Sequence, residues 1–202
     1  MRIAMIVEGK TEKAFIPHLR EYLETHLAGN MPRLTPYPYD GRIPKEGKLR
    51  RVVTGLLRDR ADHVIALTDV YAGDNPPEFQ DAVDAKSKMR QWVGNEPCFH
   101  PHAAQYDFEA WLLPYWEAIQ KLAGHNRAAP PGQPETVNHN NPPAHRIKEV
   151  FEIGRCRDSY VKPRDAGRIL RDNGLAPAVE QYPELKALVN TILLVCGGQV
   201  IP

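Results

Sequence analysis

Two unbroken apolar runs, each closed by an acid, limit what this chain can fold into. Ile3-Ala4-Met5-Ile6-Val7 ends at Glu8, and Val64-Ile65-Ala66-Leu67 passes through Thr68 to Asp69. Apolar runs of this length without polar alternation mark strands buried on both faces, the kind found in parallel sheets covered by helices. After the first run, Phe15, Leu19, Tyr22 and Leu23 recur at helical spacing, with Thr11 as the expected N-cap and Glu12 as a favourable first-turn charge. Residues 47–60 fit a basic helix with Leu49, Val52, Val53, Leu56 and Leu57 turned inward. Residues 31–39, MPRLTPYPY, are extended and Pro-rich, so any strand there lies at a sheet edge. Strands alternating with helices predict an α/β fold with a parallel sheet.

Downstream, the pattern predicts a helix over 78–93, a strand over 97–105, and a helix from about Tyr106-Asp107-Phe108-Glu109 through Ala110-Trp111-Leu112-Leu113. Residues 124–144 are dominated by Gly, Pro, Asn and Gln and read as a long exposed loop. The tail predicts three helices, 144–153, 164–173 and 183–195. The expected organisation is a single domain over 1–202, with an α/β core in 1–123, an exposed loop in 124–143 and a helical C-terminal extension in 144–202.

At 202 residues the chain can bury a real core, and 26 Lys+Arg against 25 Asp+Glu leave a net charge of +1. No global basic field announces nucleic acid, although a local basic groove is compatible with neutrality. Cys98, Cys156 and Cys196 are odd in number and far apart, which suits a reducing cytosol better than a disulfide scaffold. The opening MRIAMIVEGK has no leader pattern, and no apolar run approaches the ~20 residues of a membrane span. The expectation is a soluble cytoplasmic domain.

Gly9-Lys10-Thr11 has the ending of a phosphate-binding P-loop, but the position of its first glycine holds Ala4, inside the first strand. No loop is left to wrap a phosphate. What remains is two strands ending in Glu8 and Asp69. Ligands of parallel sheets collect beyond the carboxyl ends of the strands, and neighbouring strands lie about 5 Å apart. The two carboxylates are therefore placed to share a divalent cation, although strand ends are polar in any case and Asp also caps turns.

Val7-Glu8-Gly9-Lys10-Thr11-Glu12 resembles the first motif of the TOPRIM (topoisomerase–primase) domain. The block from Pro101 to Leu113, PHAAQYDFEAWLL, resembles that of a TOPRIM-like domain-of-unknown-function family, the one numbered four-two-seven-six. Tyr160-Val161-Lys162-Pro163 and Tyr182-Pro183-Glu184-Leu185 resemble that family's C-terminal features. More distantly, the chain is similar to nuclease domains of the overcoming-lysogenization-defect type, which often accompany ATPases in phage defence. The resemblance implies a TOPRIM-like parallel sheet flanked by helices, with a helical C-terminal portion, and Mg²⁺- or Mn²⁺-dependent cleavage of DNA or RNA. It implies catalytic roles for Glu8, Asp69 and Lys162, and metal binding by Glu8, Asp69, Asp74 and Glu109. One departure stands out. The family's second motif is Asp-x-Asp, whereas this chain reads Thr68-Asp69-Val70-Tyr71. Asp74, Asp107 or Glu109 would then supply the missing acid.

Each of these residues also has a plainer use. Asp74 lies in a Gly-Asp-Asn-Pro-Pro loop that turn formation explains, and Glu109 in a first helical turn is favourable through the dipole alone. Cys98, His100 and His102 alternate as zinc ligands on a strand would, but Pro101 interrupts them and no fourth ligand is evident. His102 is also placed as a proton shuttle ahead of the Glu109 block. Arg157 and Arg164 near Lys162 fit a phosphate-holding cation group. Arg50, Arg51, Arg58 and Arg60 fit either a nucleic-acid backbone or a solvated face. Two functions remain open: a metal-dependent TOPRIM-type nuclease, and a non-catalytic TOPRIM-like module that partners an ATPase.

Overall fold

The computed structural model describes residues 1–27, 29–70, 78–132, 135, 141–154 and 159–202. Tyr71, Asp74 and Arg157 lie outside them. The apolar runs become strands β1 (Arg2–Val7) and β3 (His63–Asp69), the Pro-rich stretch becomes β2 (Arg33–Pro38), and β4 spans Phe99–Ala104. All pairings are parallel in the order β2-β1-β3-β4, with Val7 opposite both Pro38 and Leu67 and Asp69 opposite Ala104. β2 lies at an edge, where Pro36 and Pro38 cost the sheet least.

Helix α1 (Lys10–Glu24) links β1 to β2, α2 (Glu46–Arg58) links β2 to β3, and α3 (Ala82–Val93) links β3 to β4. The first connection moves one way along the sheet and the next two move the other way. Right-handed crossovers then place α1 on one face and α2 and α3 on the opposite face. Two separate apolar cores result. Ala4, Ile6, Val64 and Ala66 pack under Leu49 and Val53 of α2 and Ala85 and Met89 of α3. Ile3, Met5, Val7, Ile65 and Leu67 pack under Phe15 and Leu19 of α1.

The second core continues into the C-terminal half. Phe108–Tyr115 forms a 3₁₀ segment, followed by α4 (Trp116–Ala123), α5 (Pro143–Gly154), α6 (Lys162–Asn173), α7 (Ala176–Gln181) and α8 (Pro183–Val195). Trp111, Phe151, Ile169, Tyr182 and Val189 are all buried with α1.

Four local expectations change. Gly9, not Thr11, is the N-cap of α1, and the Glu12 carboxylate accepts the Gly9 N–H at 2.9 Å. The helix expected over 78–93 starts at Ala82, because the Asp81 side chain caps it by accepting the Asp84 N–H at 2.7 Å. The expected helix through Glu109 is a 3₁₀ segment, and Pro114 inside it withholds the N–H that an α-helix needs. Among the described residues the tail holds four helices rather than three: the six-residue α7, begun by Ala176-Pro177, is too short to show a period.

Candidate functional site

The sheet order places a topological switch point between β1 and β3, since the chain leaves β1 in one direction and returns past it in the other. The crevice beyond the strand ends at such a point is where α/β sheets bind ligands. Glu8 stands there, directly after β1, and Asp69 closes β3 beside it. The Thr68 hydroxyl donates to Glu8 Oε1, and the Asp69 backbone N–H donates to the same oxygen at 3.2 Å. The neighbouring strand thus fixes the Glu8 carboxylate.

β4 ends next to β3 and delivers two more acids to the same edge: Asp107, in the turn that follows it, and Glu109, in the 3₁₀ segment. Glu12 joins them from the first turn of α1. Glu8, Glu12, Asp69, Asp107 and Glu109 are all buried, Glu109 completely. Their charges reach one another. Burial, then Glu8, Glu12, Asp107 and Glu109 in turn, push the Asp69 carboxyl well above the usual range. Burial first, and Glu8 and Glu109 further down, raise Glu12 against the opposing hydrogen bonds from backbone N–H groups. Burial and then Glu109 push Asp107 up to about 7.

Two partners meet Glu109 from the C-terminal half. Lys162, the first residue of α6, places Nζ 2.9 Å from Glu109 Oε2, and the Tyr160 hydroxyl lies 3.4 Å from Oε1. Burial pulls the Lys162 ammonium down, but Glu109, Asp107 and Asp69 outweigh it, so the net shift is upward and the charge is retained. Burial and then Glu109 and Asp107 raise the Tyr160 phenol well above its ordinary value, so it remains a neutral donor. Asp107 ties in α5 by accepting the Ala144 N–H at 3.1 Å, while its other oxygen is buried without a hydrogen-bond partner.

The acids suit a hard divalent cation: carboxylate oxygens are its preferred donors, and buried anions at close quarters are costly unless a cation offsets them. Among the described residues no three His, Cys, Asp or Glu side chains converge as a metal-ligand set. Mg²⁺ does not require one, because it keeps several waters and takes one or two carboxylates together with substrate phosphates. Glu8 and Asp69 are two buried carboxylates on neighbouring strands at that edge, and Asp107 has an oxygen without a hydrogen-bond partner.

Of the candidates named from sequence, Glu8, Asp69, Asp107, Glu109 and Lys162 come together, and Asp74 lies outside the described residues. Arg164 turns to the buried Asp165, with Nε and Nη2 at 2.8 and 2.9 Å from its two carboxylate oxygens. His102 is buried, with its Nδ1 unpartnered. Burial, with Lys86, His100 and Arg90 beyond it, drives its imidazole down to about 3. It is neutral at ordinary pH, and the charges acting on it are cations rather than the acids. His100 meets His63, with ring nitrogens 3.1 Å apart, in place of the zinc arrangement with Cys98 and His102. Sequence reasoning missed Glu12 and Thr68. Glu12 had left a signal: with Phe15, Leu19 and Leu23 it falls on the inward stripe of α1, where an unpaired acid is costly.

The family profile described as Domain of unknown function (DUF4276) matches residues 7–193. The C-terminal region of the Burkholderia pseudomallei OLD protein superposes with a TM-score of 0.56 at 13% identity, over 96% of this chain and 98% of that one. The corresponding region of the Xanthomonas campestris pv. campestris OLD protein gives a TM-score of 0.51 at 14% identity, over 96% and 95%. No curated protein matches by sequence. The fold is therefore the TOPRIM-like α/β fold of those OLD regions. No helix among the described residues is long and apolar enough to cross a membrane.

Proposed function

The chain belongs to the DUF4276 family, and from that premise we propose that it is a metal-dependent phosphodiesterase of the TOPRIM type, acting on DNA or RNA. The observation that carries this reading is the fixed Glu8 carboxylate at the switch point, with Asp69 beside it and Glu12, Asp107 and Glu109 buried around them. Glu8 and Asp69 would hold Mg²⁺ or Mn²⁺, with Asp107, Glu109 or Asp74 as further donors. When bound, the ion polarises the scissile phosphate, lowers the pKa of the attacking water and stabilises the leaving oxygen.

The chain's own residues prepare the rest. The Thr68 hydroxyl and the Asp69 N–H hold the Glu8 carboxylate in one orientation, which positions it either as a ligand or as the base facing water. Lys162 keeps its positive charge through Glu109 and would stabilise the negative charge that builds on the phosphate oxygens. Tyr160 donates to Glu109 and so restrains the carboxylate that positions Lys162. The buried walls of the 3₁₀ segment limit the water around these charges and strengthen their interactions.

Cleavage of supercoiled plasmid and of single-stranded RNA, with Mg²⁺, Mn²⁺ or EDTA, tests the reading. Metal-dependent cutting that disappears in Glu8→Ala supports it. Cutting that survives Glu8→Ala places the chemistry elsewhere. The rival function, a non-catalytic module that partners an ATPase, draws on Tyr71, which stands where the second acid of the family motif is expected. Calorimetric titration with Mn²⁺ separates the two. Heat that is lost in Glu8→Ala favours the enzyme, and its absence in the wild type, together with no cutting, favours the module.

A further inference from the structure

The outward face of α2 carries positive charge that the described residues leave unpaired. Between Arg42 and Arg60 stand seven Lys or Arg residues and two acids, in a chain whose net charge is +1. Leu49, Val53 and Leu56 turn inward. At about 100° per residue, the other side of the helix brings Lys48, Arg50, Arg51 and Arg58 onto one exposed arc, with Gly47 and Thr54 between them and no acid among them.

Two other exposed helix faces pair a charge at the (i, i+4) spacing. Lys88 meets Asp84 at 2.8 Å on α3, and Lys148 meets Glu152 at 3.5 Å on α5. On α2, by contrast, Lys48, Arg50, Arg51 and Arg58, with Arg60 just beyond, form no ion pair or side-chain hydrogen bond with another described residue. The glycines of α2 add a second observation. A Cβ at Gly47 or Gly55 would meet nothing within 4 Å, and neither has a positive φ. Neither packing nor backbone conformation requires glycine there, and glycine within a helix is less stable than alanine. What it does allow is close approach by another molecule's backbone.

The arc leads away from the acid site. Gly41, in the turn before α2, donates its N–H to the Glu8 carbonyl at 2.9 Å, so the helix begins at the carboxyl edge of the sheet. Arg42 and Lys45 both reach Glu78, at 2.7 and 2.6 Å, and secure that corner. From Lys48 to Arg58 the helix runs about 15 Å along the outer layer.

We propose that this face of α2 is the docking surface for the sugar-phosphate backbone of the nucleic acid on which the acid site acts, a role that rests on the phosphodiesterase reading above. Arginines present forked donors to phosphate oxygens, and the two glycines let the strand lie against the helix. The contact reads charge and shape, not bases.

The test is fluorescence anisotropy of an end-labelled duplex DNA of about 20 base pairs, in EDTA so that nothing is cut, over about 50–300 mM KCl. The triple variant Arg50→Gln, Arg51→Gln, Arg58→Gln should bind at least about tenfold more weakly at ~0.1 M salt, and its plot of log K against log salt should be shallower by about 2–3. Lysine at the same three positions should restore most of the affinity. Gly55→Gln should raise the melting temperature yet weaken binding, a split that a purely structural role does not produce. Wild-type affinity and slope in the triple glutamine variant would overturn the proposal, and so would lysine variants as weak as the glutamine ones. The two readings fail separately. Salt-dependent binding lost with the arginines, in a wild type that never cuts, removes the phosphodiesterase and leaves the surface. Metal-dependent cutting with undiminished binding by the α2 variants removes the surface alone.

Discussion

Replacing Asp107 by Asn tests whether the buried acids at the sheet edge are under electrostatic strain. In the folded chain burial and Glu109 push Asp107 up to about 7, from an ordinary 3.8. A shift of about 3 units corresponds to about 4 kcal/mol. The unfolded chain gives up this proton near pH 4, whereas the folded chain keeps it until about pH 7. Between those values the folded state binds more protons, so stability falls as pH rises, and above pH 7 the whole cost is felt. Linkage puts that cost at about 2 kcal/mol at pH 5 and about 4 at pH 8. Asn retains an oxygen for the Ala144 N–H and removes the charge. Its amide nitrogen takes the place of an oxygen that has no partner, at a pH-independent cost of about 1–3 kcal/mol. The variant should therefore gain about 2–3 kcal/mol relative to wild type between pH 5 and pH 8. Urea denaturation in EDTA at the two pH values measures this difference. A difference between variant and wild type that stays constant from pH 5 to 8 would refute the reasoning, because Asp107 would then be relieved by a partner.

Lys162→Ala leaves the fully buried Glu109 without its ammonium partner. It should destabilise the chain by about 1–3 kcal/mol, less than a wholly buried pair because the lysine is half exposed. Adding Glu109→Gln should recover most of that loss in a double-mutant cycle read by urea denaturation. Gly154→Ala would place a methyl group 1.9 Å from the Ala123 carbonyl oxygen, where α5 crosses the end of α4. Overpacking of this kind costs about 1–3 kcal/mol, and calorimetry should show the melting temperature lowered by about 2–12 °C.

Much of the frame was legible because it is encoded locally. The apolar runs of β1 and β3 can only be strands buried on both faces, and Pro36 and Pro38 exclude a central place for β2. Acids directly after two such strands must lie at carboxyl ends, so Glu8 and Asp69 were candidates before any contact was known. The family motifs brought Glu109 and Lys162, residues separated by 53 positions that meet at 2.9 Å. The 3₁₀ segment and α7 escaped because Pro114 and a six-residue length defeat any reading from period.

By itself the sequence determined the strands and the longer helices, which faces turn inward, and which acids end the strands, since spacing and side-chain chemistry act over a few residues. Only the tertiary structure decided that β1 and β3 are neighbours across a switch point. The same long-range packing turned Glu12 from a first-turn charge into a member of the buried acid group, brought Lys162 to Glu109, and buried His102 under the influence of Lys86 rather than of the acids. These outcomes depend on strand order and on which helices cover which face. Both are set by the hand of the crossovers and by the joint burial of residues far apart in the chain, and no short window of sequence contains them.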